Sequence, residues 1–133
     1  MDLAKNYRII APDLLWFGES MSNHTPDIYA QIDALEHLLD ELEVDSFSVS
    51  GISYGGFVNM GLVQKHEQQV NKMIIIDSPG ITYNVDLLDS MVVKTGVKEV
   101  ADIFVPKNDK QVQFLVQFAA YKDKKVPKGI LED

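Results

Sequence analysis

The feature that most restricts the fold of this 133-residue chain is a change of period inside one short stretch, SFSVSGISYGGFVNMGLV, residues 46–63. Residues 45–51, DSFSVSG, alternate and stop at a glycine, which is the pattern of a strand. From Tyr54 the run YGGFVNMGLVQKH is apolar on nearly all sides and predicts a buried helix. Residues 71–77, NKMIIID, then form a compact apolar strand. A strand, a helix and a strand in succession imply parallel pairing with a crossover. The run from Met73 to Ile76 is apolar on both of its faces, so the sheet is expected to be covered on both sides.

The flanking segments extend this pattern. Residues 7–14, YRIIAPDL, read as an earlier strand closed by Pro12 and Asp13, and residues 14–24 as a loop. Thr25 is the expected helix cap, with Pro26 at the first helical position and Asp27 near the positive end of the dipole. Ile28, Ile32, Leu35, Leu39 and Leu42 then recur at helical spacing to about Glu43. Asp33, Glu36, His37, Asp40 and Glu41 make the opposite, solvated face. The expected fold class is α/β, a small parallel sheet flanked by helices. Beyond Gly80 no strong strand is visible. VDLLDSMVV, VKEVADIFV and DKQVQFLVQFAAYK read as helices broken at Gly96 and Pro106, with Pro127 and Gly129 ending the last.

Charge divides the chain at the same place. Residues 1–80 carry 4 Lys/Arg against 12 Asp/Glu, whereas residues 81–133 carry 8 against 8. With the turn signal Ser78-Pro79-Gly80, this sets two expected domains, 1–80 and 81–133. A net charge of −8 argues against a nucleic-acid partner, which needs a basic footprint. Absence of cysteine removes disulfides, thiolate metal sites and cysteine nucleophiles. The acidic residues show no metal-ligand spacing, and neither a metal nor a cofactor is expected. No apolar run approaches the ~18 residues of a membrane span, and the start has no secretory pattern, so a cytoplasmic protein is the default.

Between strand and helix stands Gly51-Ile52-Ser53-Tyr54-Gly55-Gly56. A Gly-x-Ser-x-Gly match gains meaning from this context, which is that of a nucleophile elbow. So sharp a turn strains the serine backbone and requires small neighbours, here Gly51 and Gly55, while Gly56 lets the helix pack close to the strand. Ser53 is therefore expected at positive φ, with its hydroxyl at the C-terminal end of the sheet. The helix behind it offers free N–H groups and a positive dipole end to a developing oxyanion.

On these residues the chain resembles the α/β-hydrolases, in the branch of monoacylglycerol-lipase-like esterases, ring-cleavage-product hydrolases and proline iminopeptidases. YRIIAPDLLWFGES matches the family's strand, Pro-Asp and Gly-x-Gly-x-Ser loop at Asp13, Gly18 and Ser20, with Trp16 replacing the first glycine. VSGISYGG matches the elbow and MIIIDSPG the next strand, while residues 81–133 are loosely similar to the helical cap.

The resemblance implies Ser53 as nucleophile and the Tyr54 backbone N–H as an oxyanion-hole donor. The implied substrate is a small molecule with a carboxylic ester or related acyl bond. It also implies that the chain holds only the central part of the fold. Family members start with further strands and a His-Gly loop, and end with an acid and a catalytic histidine. Of the three histidines, His24 alone falls on the face of Ser53, the alternative being an ordinary surface-loop histidine. His37 lies on the acidic helix and His66 at the far end of the helix after Ser53. Asp77 falls where some lipases of this fold place their acid, although that position is more often structural. With no matching base, slow ester hydrolysis or none is expected of the chain alone. The alternative is a non-catalytic fragment or binding module derived from the same fold.

In the family's strand order a further strand lies between those matching residues 7–12 and 47–51. The first strand is therefore expected to pair directly with the second, or another chain to fill the slot. Either arrangement exposes an apolar edge and invites a homodimer.

Overall fold

The computed structural model describes residues 3–23, 25–80 and 85–122. The chain divides into two compact units, Met1–Thr82 and Tyr83–Asp133. The first contains α1 (Ile28–Glu41), β1 (Phe47–Ile52), α2 (Tyr54–Lys65) and β2 (Val70–Ile76), after a single 3-10 turn at Leu3–Lys5. The second contains α3 (Val85–Thr95), α4 (Ala101–Phe104) and α5 (Asp109–Ala119).

In the first unit β1 and β2 pair in parallel, from Ser48 opposite Lys72 to Ile52 opposite Ile76. The serines of β1 explain its two faces: Ser48 and Ser50 are exposed, whereas Phe47 and Val49 pack inward. Helix α2 covers one face of the sheet and α1 packs beside it. Ile32 of α1 and Val58 and Leu62 of α2 form the buried centre, ringed by Leu14, Ile28, Leu35, Leu39, Phe47, Val49 and Tyr54.

Four expectations are corrected here. Residues 7–14 are not a strand: they have no regular structure and pair with neither β1 nor β2, and the sheet has two strands. Apolar sequence alone does not make a strand, because the ladder requires a partner with free N–H and C=O groups alongside. Second, Asp27 caps α1 instead of Thr25. Its Oδ1 accepts from the Ala30 N–H at 2.8 Å, and the first helical residue is Ile28. Third, the helix after Ser53 is less deeply buried than expected: Gly56, Val58 and Leu62 are buried, while Phe57, Gln64 and Lys65 are exposed. The outer face of the sheet is likewise open among the described residues, leaving Ile52, Ile74 and Ile76 exposed. Covering one such side chain fully would contribute roughly 1.5–3 kcal/mol. Fourth, α5 ends at Ala119, well before Pro127, which with Gly129 lies outside the described residues.

The second unit follows its punctuation. Gly96, at φ 70°, ends α3, and Pro106 separates α4 from α5. Asn108 caps α5, its side chain accepting from the Gln111 N–H at 3.1 Å. Phe114 and Phe118, one turn apart, stack at 5.9 Å.

Candidate active site

Ser53 sits on the single residue between β1 and α2, with φ 52° and ψ −123°. Positive φ is costly for a residue with a Cβ, on the order of 1–3 kcal/mol. Here the surrounding backbone enforces it. The Ser53 N–H donates to Ile76 C=O at 2.9 Å, which ties it to the end of β2. Its own C=O accepts from the Gly56 and Phe57 N–H groups at 3.1 and 3.2 Å, which starts the helix. With both backbone groups committed, the side chain stands exposed and makes no capping bond.

Two of the three glycines are demanded by this packing. A Cβ on Gly51 would lie 2.6 Å from the carbonyl of Gly55, and one on Gly56 would lie 2.8 Å from the Cβ of Ser78. Gly55 departs from expectation: a Cβ there would meet nothing within 4 Å among the described residues. Its smallness is not enforced by contact in this unit.

At the start of α2 the N–H groups of Tyr54 and Gly55 have no acceptor among the described residues. They are the orphan donors that every helix N-terminus carries, and the dipole of α2 adds to them a partial positive charge. Beside this turn, Asp77 follows β2 at φ 45° and is exposed. Since Ile52 and Ile76 are register partners, Ser53 and Asp77 emerge from neighbouring positions at one end of the sheet.

Loop 14–20 closes on the same region. Trp16, where the resembled family has a glycine, adopts φ 68°. Its N–H donates to Ser20 C=O at 2.6 Å and its indole Nε1–H to Ser22 C=O at 3.3 Å, so hydrogen bonds hold the left-handed turn. Phe17 stacks on Tyr54, ring centroids 6.0 Å apart.

The two described histidines stand elsewhere. His37 is exposed on α1 with Nδ1 2.7 Å from the Asp33 carbonyl oxygen. His66 follows the last residue of α2, a helix about 18 Å long at 1.5 Å per residue, and contacts Glu36 at 2.7 Å and Gln69 at 2.6 Å. His24 lies outside the described residues. Near His66, the Lys65 ammonium bridges Asp33 and Glu36 at 2.9 and 3.0 Å. Its hydrogen bond holds the Asp33 carboxyl below the ordinary range, and the two carboxylates, Asp33 first, raise Lys65. This cluster, invisible to a reading of one helix at a time, ties α1 to the C-terminal end of α2. Among the described residues no group of three or more potential ligands could hold a metal ion. Nor is any described helix long and apolar enough to cross a membrane.

Comparison with known proteins bears on this arrangement. The family model described as alpha/beta hydrolase fold matches residues 2–129. The 2-hydroxymuconate semialdehyde hydrolase of Pseudomonas sp. (strain CF600) is 31% identical over 86 residues, covering 62% of this chain and 30% of that protein. The 2-hydroxy-6-oxo-6-(2'-aminophenyl)hexa-2,4-dienoic acid hydrolase of Metapseudomonas resinovorans is 34% identical over 88 residues, covering 62% and 29%. The 2-hydroxy-6-oxo-2,4-heptadienoate hydrolase of Pseudomonas putida (strain F1 and its equivalents) is 26% identical over 93 residues, covering 68% and 34%. The chain thus spans about a third of the length of these relatives. No solved structure matches it.

Proposed function

The chain belongs to the alpha/beta hydrolase fold family, and from that premise we propose that Ser53 is the nucleophile of a serine hydrolase acting on a small-molecule carboxylic ester or related acyl bond. The observation that carries this reading is the conformation of Ser53, φ 52° and ψ −123°, at a strand-to-helix turn with an exposed side chain. Positive φ is costly for a residue with a Cβ, and a nucleophile that must project from the sheet at a strand-to-helix turn gives a reason for it. The relatives named as hydrolases of oxo-dienoates support an acyl carbonyl as the reacting group.

In the proposed reaction Ser53 Oγ attacks the carbonyl carbon as a base removes its proton. The carbonyl oxygen, now anionic, meets the Tyr54 N–H, which has no other acceptor among the described residues. The leaving group departs with a proton returned by the base, and water then hydrolyses the acyl-serine. His24 is the candidate base within the chain, and Asp77 stands at the same end of the sheet. We assign residues 1–80 to the catalytic core and residues 81–133 to a cap-like segment.

A second reading, a non-catalytic module of the same fold, is favoured by one observation. His37 and His66 are both engaged away from Ser53. Labelling the chain with a fluorophosphonate and locating the adduct by mass spectrometry separates the two. Under the first reading an adduct forms on Ser53, slowly, and is absent from Ser53→Ala. Wild-type chain that stays unmodified overturns that reading and leaves the module.

A further inference from the structure

Gln31 is 1% exposed, a buried polar side chain within an otherwise apolar helix face. A buried carboxamide must have its donor and acceptor satisfied, because each one left unpaired forfeits its solvation. Gln31 meets this requirement with one residue. Its Oε1 accepts from the Leu15 N–H at 2.9 Å, and its Nε2 donates to the Leu15 C=O at 2.9 Å. Two antiparallel bonds to a single peptide residue fix orientation as well as distance, as a strand partner would.

What Gln31 grips is the start of the loop that reaches Tyr54. Leu14 packs against the core and Leu15 is clamped. Trp16 then turns left-handed, and the Phe17 N–H donates to Leu14 C=O at 2.9 Å. The loop curls so tightly that a Cβ on Gly18 would meet the Asp13 carboxyl, 2.7 Å from its Cγ. The chain delivers the Phe17 ring onto Tyr54, the residue after Ser53, with 28° between ring planes. Phe17 nevertheless remains 53% exposed, so part of the ring is left free to meet a ligand.

We infer that Gln31 is a positioning residue, whose grip on Leu15 holds Phe17 against Tyr54 and so builds one flank of the approach to Ser53. The inference rests on the Ser53 reading for the word "approach"; the clamp itself does not. A loop whose ring is pre-placed loses less freedom when a ligand arrives, which is how a buried residue that never touches ligand can affect binding.

The test has one arm independent of chemistry. In the wild-type chain, hydrogen exchange followed by NMR should show the Leu15 amide slowed by at least about 100-fold against an unstructured peptide, as for a bonded, locally stable site. Exchange at the unstructured rate overturns the clamp. In Gln31→Met that slowing should vanish, and the Tyr54 ring resonances should move to their positions in Phe17→Leu. Tyr54 resonances unchanged in folded Gln31→Met overturn the positioning role. Should Gln31→Met fail to fold, Gln31→Leu removes both bonds with a smaller apolar side chain. Its Tyr54 resonances should likewise move to the Phe17→Leu positions, and wild-type positions there overturn the role equally. The second arm compares labelling of Ser53 by a benzyl-tailed and an ethyl-tailed fluorophosphonate. The rate ratio should fall about threefold in Gln31→Met and Phe17→Leu alike, the loss of a single shared contact surface. An unchanged ratio with shifted Tyr54 resonances overturns the flank. Absence of labelling by either probe in the wild type defeats the Ser53 reading instead, and the clamp is then judged by the first arm.

Discussion

Ser53 and Asp77 leave the parallel sheet side by side, each one residue past a register pair, Ile52 opposite Ile76, and each at positive φ, 52° and 45°. The two strands thus end together and both turn left-handed at the same level. Aspartate tolerates this region because its short polar side chain can bond locally, whereas a β-branched residue does not. Asp77→Val should therefore destabilise the chain by about 1–2 kcal/mol, with Asp77→Asn close to neutral. Urea unfolding of the two variants checks this, and equal midpoints would remove the conformational argument.

The glycines of the elbow should separate by substitution to alanine. Gly51→Ala and Gly56→Ala push a Cβ against Gly55 backbone and Ser78, and each should cost about 1–3 kcal/mol. Gly55→Ala meets open space in the first turn of α2 and should be neutral or stabilising by up to about 1 kcal/mol, since it removes unfolded-state freedom. The sequence pattern alone treats the two flanking glycines as equivalent. A large loss of thermal stability in Gly55→Ala would restore that view.

Catalytic turnover by the chain on its own should be slow. Among the described residues no side chain hydrogen-bonds the Ser53 hydroxyl, so a serine without a base retains mainly its oxyanion donors. Such partial sites retain about 10³–10⁴-fold catalysis over water. Hydrolysis of p-nitrophenyl acetate should stay within that range and change little in Ser53→Ala, because the backbone donors that supply it remain. A rate that is faster and falls in His24→Ala would identify His24 as the base.

Lys65, Asp33 and Glu36 link α1 to α2, and their effect on stability has a defined pH window. The carboxyl of Asp33 is held below its ordinary 3.8, so its contribution is present above that pH and lost as pH falls through the lower, folded value. Lys65 is raised above 10.5, so its contribution is complete below that pH and lost as pH rises through the folded value. The difference in urea midpoint between wild type and Lys65→Met should be level through neutral pH and shrink at both ends. Salt should reduce it throughout, because the pair is exposed. A difference independent of pH and salt would show that Lys65 acts through its alkyl chain.

Self-association is the expected consequence of the open sheet face, where Ile52, Ile74 and Ile76 stand in one strand pair. We propose that two copies meet there or along the free strand edge. Light scattering after size exclusion should give a mass above the 14.9 kDa of one chain, returning toward it in Ile74→Lys. A stable monomer at high concentration would contradict the proposal.

Local chemistry carried much of this fold into the sequence. Alternation placed Phe47 and Val49 inward, and the helical spacing of Ile28, Ile32, Leu35 and Leu39 marked the face of α1 that packs on the core. Gly51 and Gly56 announced a turn that only small residues permit, and with it the backbone of Ser53. All of these signals act within a few residues, where steric limits and periodicity are decisive.

Tertiary structure decided whatever depends on a partner distant in sequence. Residues 7–14 have the composition of a strand and are not one, because neither β1 nor β2 runs alongside them to form a ladder. Trp16 stands where the family has a glycine, and hydrogen bonds to Ser20 and Ser22 hold its left-handed turn. The clamp between Gln31 and Leu15, and the contact of Glu36 with His66 30 residues away, join segments with no local signal for one another. Hydrogen bonds and ion pairs of this kind depend on distance in space, and that is set only when α1, α2 and the loop pack together.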